Sequence, residues 1–252
     1  MKAARVESLV EMRDMNRAAD VLARVWASPS GQQPVAPALL RALEHSGNYV
    51  AGAFLDDELV GASAAWLGRH HGELILHSHI TGIAPEHQGH DIGFVLKQHQ
   101  REWALARDVG AVVWTFDPLI RRNAYFNLSR LGATIVGFEH DLYGPMDDEM
   151  NSGEETDRAV ARWDLRTTER SPIDTASAPA ILSLGDDNAP VACAHDGPVL
   201  RAWIPEDYVG ERPAWPGWRR AVRETVGAAI GQGYEAVGMT RDGWYTLTRT
   251  SA

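Results

Sequence analysis

The stretch Ile83-Ala84-Pro85-Glu86-His87-Gln88-Gly89-His90-Asp91-Ile92-Gly93 carries most of the information in this 252-residue chain. The apolar run over 74–84 predicts a strand, and Pro85 stops it. A loop with a glycine follows, and the pattern from Gly93 to Arg107 predicts a helix. The first N–H groups of a helix have no partner within it and sit at the positive end of its dipole. A glycine-bearing loop at that point can hold a phosphate through backbone groups alone. An ordinary turn before a helix looks the same, so this stretch by itself leaves both readings open.

Working outward, Val10, Met15, Ala18, Val21, Leu22 and Val25 recur at helical spacing and predict a helix over 8–27. Pro29, Gly31 and Pro34 break it, and a second helix is expected over 37–44. The apolar runs 48–55 and 59–67 flank Asp56-Asp57-Glu58 and read as a hairpin. Beyond the central stretch, 111–116 reads as a buried strand and 121–131 as a helix stopped by Gly132. Residues 133–143 and 158–165 read as two more strands, with a polar loop over 146–157. Residues 167–179 are rich in Thr, Ser and Pro and read as a linker. Short strands near Ile181, Val191 and Val199 follow, then a helix over 216–231 and a final hairpin around Asp242-Gly243. The expected organisation is a first α+β domain over 1–166, a linker over 167–180 and a smaller α+β piece over 181–252.

Composition narrows the function. The net charge is −10 and the pI about 5.4, whereas nucleic-acid binding needs a basic surface. No stretch has the 18 or so apolar residues of a membrane span, and the N-terminus has no apolar signal core. A single cysteine, Cys193, rules out an internal disulfide and points to a reducing cytoplasm. Its apolar run, Val191 to Ala194, reads as a packed small side chain rather than a nucleophile.

A second motif stands downstream, Asn123-Ala124-Tyr125-Phe126-Asn127-Leu128-Ser129-Arg130-Leu131-Gly132-Ala133, after the strand Val112-Val113-Trp114-Thr115-Phe116. Together the two stretches resemble the GNAT N-acetyltransferase superfamily. Its first signature is a strand ending in Val-x-Pro followed by Gln/Arg-x-x-Gly-x-Gly/Ala, matched at Ile83, Pro85, Gln88, Gly89, His90, Ile92 and Gly93. Its second is an Asn-Ala helix ending in Leu-Gly-Phe. The resemblance covers about residues 1–166. It implies a mixed, mostly antiparallel sheet with helices on both sides and two splayed central parallel strands, 74–84 and 111–116. It implies acetyl-CoA or another acyl-CoA as co-substrate, with the pyrophosphate on Gln88 to Gly93, pantetheine against Ile83 and Ala84, and Asn123 as a further contact. No metal is implied.

Two positions depart from the family pattern. Asp91 replaces the first loop glycine; it reads as a helix cap, and as a charge opposed to pyrophosphate. Leu128 stands where many members have a tyrosine that protonates the leaving thiolate, and Tyr125, one turn earlier, is the substitute candidate. For the base, period two places His77, His79 and Thr81 on one strand face, and His79 is the first choice with His77 second. Core histidines are the alternative. Six of ten histidines lie between His70 and His90, yet no carboxylate or cysteine completes a closed metal set there. Arg121 and Arg122 could grip a phosphate or an acidic acyl group, and Asp117 could cap a helix or hold an amine. The acidic run Asp147-Asp148-Glu149 reads as a solvated loop.

The expectation is an acyl-CoA-dependent N-acyltransferase acting by direct attack. It would move acetyl or another short acyl group, with succinyl as an option, to a small primary amine such as an amino acid. The alternative is a non-catalytic GNAT-fold protein that binds CoA thioesters or regulates. A carrier-protein thioester donor or a hydroxyl acceptor is a further variant. A homodimer is compatible with the C-terminal aromatics.

Overall fold

The computed structural model describes residues 4–26, 33–144, 155–167, 173–206 and 215–249. The Asp147-Asp148-Glu149 run lies outside the described residues. The chain forms two units. Of the described residues, the first holds those up to Trp114 with Asp164–Arg166, and the second holds the rest. This division differs from a boundary after residue 166.

The first unit contains β1 (Arg5–Ser8), α1 (Met12–Val25), α2 (Pro37–His45), β2 (Tyr49–Leu55), β3 (Glu58–His70), β4 (Glu73–Ile83), α3 (Ile92–Leu105) and the start of β5 (Ala111–Phe116). The order across its sheet is β1-β2-β3-β4-β5, antiparallel except for the parallel β4–β5 pair. Met15, Ala18, Ala19, Val21 and Leu22 make the buried stripe of α1. That spacing is one helix face, and it packs with Val50, Ala62, Ala64 and Ile80. The alternate strand residues point the other way: Tyr49, Ser63 and Ser78 meet α3. One sheet therefore carries helices on both faces.

The helix expected over 8–27 starts at Met12, because Arg5–Ser8 is a strand paired with β2 from Arg5↔Phe54 to Ser8↔Ala51. This edge strand is almost wholly exposed, so its sequence has no apolar alternation to betray it. The other helices and strands of this unit lie where periodicity puts them, within a few residues.

The second unit contains α4 (Arg121–Ala124), which continues as a π-helical turn over Tyr125–Arg130, then β6 (Thr134–Glu139) and β7 (Arg158–Asp164). β8 (Ala180–Leu184), β9 (Pro190–Ala192) and β10 (Val199–Trp203) precede α5 (Trp215–Val222), a π-helical turn over Arg223–Gly227 and α6 (Ala228–Gly231). β11 (Tyr234–Met239) and β12 (Trp244–Arg249) end the chain. The strand order is β7-β6-β11-β12-β10-β8-β9. Leu128, Ile135, Leu182, Leu200, Trp218, Val226, Tyr234 and Tyr245 are buried here, so three of the C-terminal aromatics, Trp218, Tyr234 and Tyr245, are core, while Trp203 and Trp244 are half-buried. The described part of the 167–180 segment has no helix or strand before Ala180. Cys193 is exposed, not packed. It follows β9, a strand at the end of the sheet, where an apolar run has only one neighbour to lie against. Gly243 turns the last hairpin at φ +102°, and a Cβ there would lie 2.5 Å from Arg121 Nη2 and 2.7 Å from Ile204 O. Both the conformation and the space demand glycine.

Candidate functional site

β4 is antiparallel to β3 along nearly its whole length but pairs with β5 at Leu76↔Val112 and His77↔Val113. The next residues, Ser78 and Trp114, are past that register. Opposite, β3 pairs Ala64 with Ile80 and Ala65 with Ser78, which leaves His79 as an extra residue, a β-bulge. A bulge resets alternation, and this corrects the expectation that His77, His79 and Thr81 share a face. Thr81 Oγ1 is 2.7 Å from Ser63 Oγ, on the α3 side. His77 and His79 go with Trp66 instead.

The rings of His77 and His79 each lie 4.8 Å from that of Trp66, and 6.5 Å from one another. His77 is half-buried and His79 exposed at its rim. Loss of hydration beside the indole holds the pKa of His79 below its ordinary value. The same cause acts on His77, reinforced by His79 and by the charge of Lys97. Both imidazoles are therefore neutral at pH 7, the form that accepts a proton.

At its far end β4 enters the loop. Ala84 N–H donates to Val60 O, a single 3₁₀ turn covers Pro85–His87, and Gln88 Nε2 reaches back to Ile83 O at 3.0 Å. Gln88 thus fixes the strand end to the loop. Gly89 has φ +82° with nothing within 4 Å of a would-be Cβ, so the backbone there is bare. Asp91 occupies the N-cap position of α3 in the left-handed conformation, φ 58° and ψ 7°, and makes no side-chain capping hydrogen bond. The expected carboxylate cap is absent because the left-handed turn replaces the extended N-cap conformation that aims a side chain at the helix N–H groups. The first helical bond is Val95 N–H to Asp91 O, so the N–H groups of Ile92 and Gly93 belong to the open first turn. His90 is exposed beside them, its Nδ1 3.3 Å from His87 O.

Beneath the sheet, α3 contributes Lys97, which sequence reading passed over. It is 5% exposed. Its Nζ donates to Ser78 Oγ at 2.9 Å and Gln100 Oε1 at 3.0 Å, and lies 4.2 Å from the Trp114 ring centroid. Burial lowers its pKa to about 7. The signal was available: Lys97 stands in the stripe with Ile92, Leu96, Gln100 and Ala104, where a lysine is out of place.

The other sequence candidates belong to the second unit. Asn123 is exposed, with its N–H on Ile120 O. Tyr125 is half-buried under the Arg241 guanidinium, 5.0 Å from its ring. Leu128 is 3% exposed, a core residue. Arg121 is turned inward, Nη2 to Ile204 O and guanidinium over Trp203, and so is not placed as a solvent-facing phosphate clamp. Asp117 is engaged by Arg219 at 2.9 Å and by the Leu119 N–H, a structural ion pair. Two side-chain clusters have the composition of cation sites, Glu58-Glu86-His87 and His140-Glu155-Asp157. Arg24 pairs with Glu86, and Arg223 with Glu155 and Asp157, so cationic side chains already balance these carboxylates.

A sheet with helices on both faces, a bulged strand leaving its parallel neighbour, and a bare loop at the next helix start define a fold class. Residues 15–129 match the Acetyltransferase (GNAT) family. Solved structures with this fold include the ribosomal-protein-S18-alanine N-acetyltransferase from Escherichia coli, 12% identical, covering 68% of this chain and 100% of its own, TM-score 0.52. Another is yncA from Salmonella typhimurium with its cofactor acetyl-CoA, 14% identical, covering 69% and 100%, TM-score 0.53. A third is aminoglycoside 6'-acetyltransferase type Ii, 13% identical, covering 66% and 99%, TM-score 0.50. Comparison with curated proteins found no match. The family match supports placing residues 15–129 in the GNAT superfamily. Among the described residues no helix is long and apolar enough to cross a membrane.

Proposed function

We propose that this chain transfers a short acyl group, acetyl or a homologue such as succinyl, from coenzyme A to the primary amine of a small molecule. The observation that carries the reading is the parting of β4 from β5 after His77↔Val113, on a strand that ends in the Gln88–Gly93 loop. Pantetheine would run along the unpaired edge of β4 past Ile83 and Ala84. The pyrophosphate would take the bare backbone from Gly89 to Gly93 at the start of α3.

The chemistry follows from the residues beside the bulge. A neutral amine nitrogen attacks the thioester carbon, and the carbonyl oxygen takes up the charge. The C–S bond then breaks, and the thiolate leaves and is protonated. Backbone N–H groups at the bulge are of the kind that stabilise such an oxyanion. His79, neutral and at the rim, takes the proton from the incoming ammonium, with His77 behind it. The family resemblance implies Tyr125 as the candidate acid and Asn123 as a contact for pantetheine. An amino acid is the acceptor class proposed; the aminoglycoside acetyltransferase among the fold relatives supports a small-molecule acceptor.

Thiol release from acetyl-, propionyl- and succinyl-CoA against a panel of amines tests the reading. Turnover with any pair supports transfer. CoA binding without turnover would favour a thioester-binding protein instead, the reading to which Asp91 in the loop and the buried Leu128 lend weight.

A further inference from the structure

Lys97 is a buried amino group with neutral partners, its pKa lowered to about 7, so about half of it is ammonium at neutral pH. Ser78, Gln100 and the face of Trp114 surround it, and among the described residues no carboxylate pairs with it. On β4 the charge of Lys97 is also felt by His77, which lies on the opposite face of the strand and is itself kept neutral, and β3 offers Ser63 through Gln100. Tyr49 of β2 and His99 of the same helix are hydrogen-bonded to each other. Burying a cation without an anion is costly, and a leucine or methionine would fill the same stripe at less expense. Position explains what the charge is near: Ser78 and Trp114 are the first residues past the β4–β5 register, so Nζ lies under the apex of the parting strands.

We propose that Lys97 is a positioning charge for the acyl thioester. Its ammonium favours the negative charge that builds on the carbonyl oxygen and then on the departing sulfur, without touching either. The inference rests on the cofactor reading above, which puts the thioester at this apex. Lys97 exchanges no proton in the step: the amine's proton leaves through the rim, the C–N bond forms as the carbonyl pair moves to oxygen, the C–S bond then breaks as that pair returns, and the C–S electron pair goes to sulfur. A cation behind a thiol lowers its pKa, and a low-dielectric setting makes the effect felt over several ångströms.

The test uses the thiol of free CoA bound to the protein, titrated by thiolate absorbance in the native chain and in Lys97→Met. The native chain should hold bound CoA with a thiol pKa about one unit below that in Lys97→Met. With acetyl-CoA, the variant should lose about tenfold in kcat while KM stays within about twofold. Lys97→Gln, which keeps hydrogen-bonding capacity and drops the charge, should behave alike. A purely structural lysine would instead lower the melting temperature on substitution, whereas Lys97→Met should raise it at pH 7. Equal thiol pKa values in native and variant proteins, or an unchanged kcat, would overturn the role of Lys97 and leave the acyltransferase reading intact. Failure of the native chain to bind CoA would take down the cofactor reading and this inference with it.

Discussion

The indole of Trp66 stacks on the imidazole of His77, their ring centroids 4.8 Å apart and planes 28° from parallel. The two are cross-strand partners in the β3–β4 register. His79, pushed out by the bulge, comes to the same indole from one step further along. Trp66 therefore covers both imidazoles, and desolvation is the leading cause that keeps them neutral.

Replacing His79 by alanine should lower kcat/KM about 100-fold at neutral pH, the scale of a lost general base. The sign of the pH dependence follows from its lowered pKa. Activity in the native chain should rise from acid pH, with the midpoint of the rise below pH 6.5, the ordinary histidine value. In His79→Ala that acid limb should vanish from a pH–rate profile, and His77→Ala should leave it in place. A His79→Ala profile identical to the native one would remove His79 as the base.

Trp66→Ala should move the limb rather than abolish it. With the indole gone, water reaches both rings and their pKa values rise toward 6.5. The half-maximal pH should increase, and stability should change in the same window. Histidines with depressed folded pKa values contribute stability above pH 6.5 that is lost as pH falls through the folded pKa. Urea titrations at pH 5 and pH 7.5 should therefore differ less in Trp66→Ala than in the native chain.

Asp91→Gly tests the departure in the phosphate loop. Asp91 sits at φ 58°, which glycine adopts freely and an L-residue at some cost. Its carboxylate stands at the helix end proposed to take a pyrophosphate. The glycine variant should bind CoA more tightly by calorimetry, about tenfold if one like-charge contact is relieved, and should melt no lower than the native chain. Tighter binding would also have to weaken with added salt more steeply than before, because the screened repulsion no longer offsets the loss of attraction; unchanged affinity rejects the repulsion.

Much of the first unit was legible because its core is periodic. The stripe of α1 and the apolar runs of β2 to β5 each state their place within a few residues, and the Gln88–Gly93 loop lies between strand and helix as expected. What was hidden is non-local. The bulge at His79 arises from how β4 registers against β3, so counting by two along β4 alone misplaced Thr81. Lys97 declares itself once α3 is docked on Ser78 and Trp114. The unit boundary was hidden for the same reason: the strands after Ala180 complete a sheet with β6 and β7, a pairing that no local pattern encodes.

Asp117 shows how a candidate site residue is reassigned by its partner, and this can be measured. It was read as a cap for the next helix or an amine holder at a strand end, and its carboxylate meets Arg219 with both groups largely buried. Its Oδ1 also accepts the Leu119 N–H at 2.9 Å. Asp117→Asn keeps an oxygen for that N–H and removes the Asp117 charge from the Arg219 guanidinium. Breaking one side of a buried pair costs about 3 kcal/mol. Urea unfolding should show a loss of that order, while the KM of the acceptor amine, measured where the variant is folded, stays unchanged. The double variant Asp117→Asn with Arg219→Met removes the guanidinium charge as well and should recover most of the stability. A large rise in acceptor KM without loss of stability would return Asp117 to the binding site.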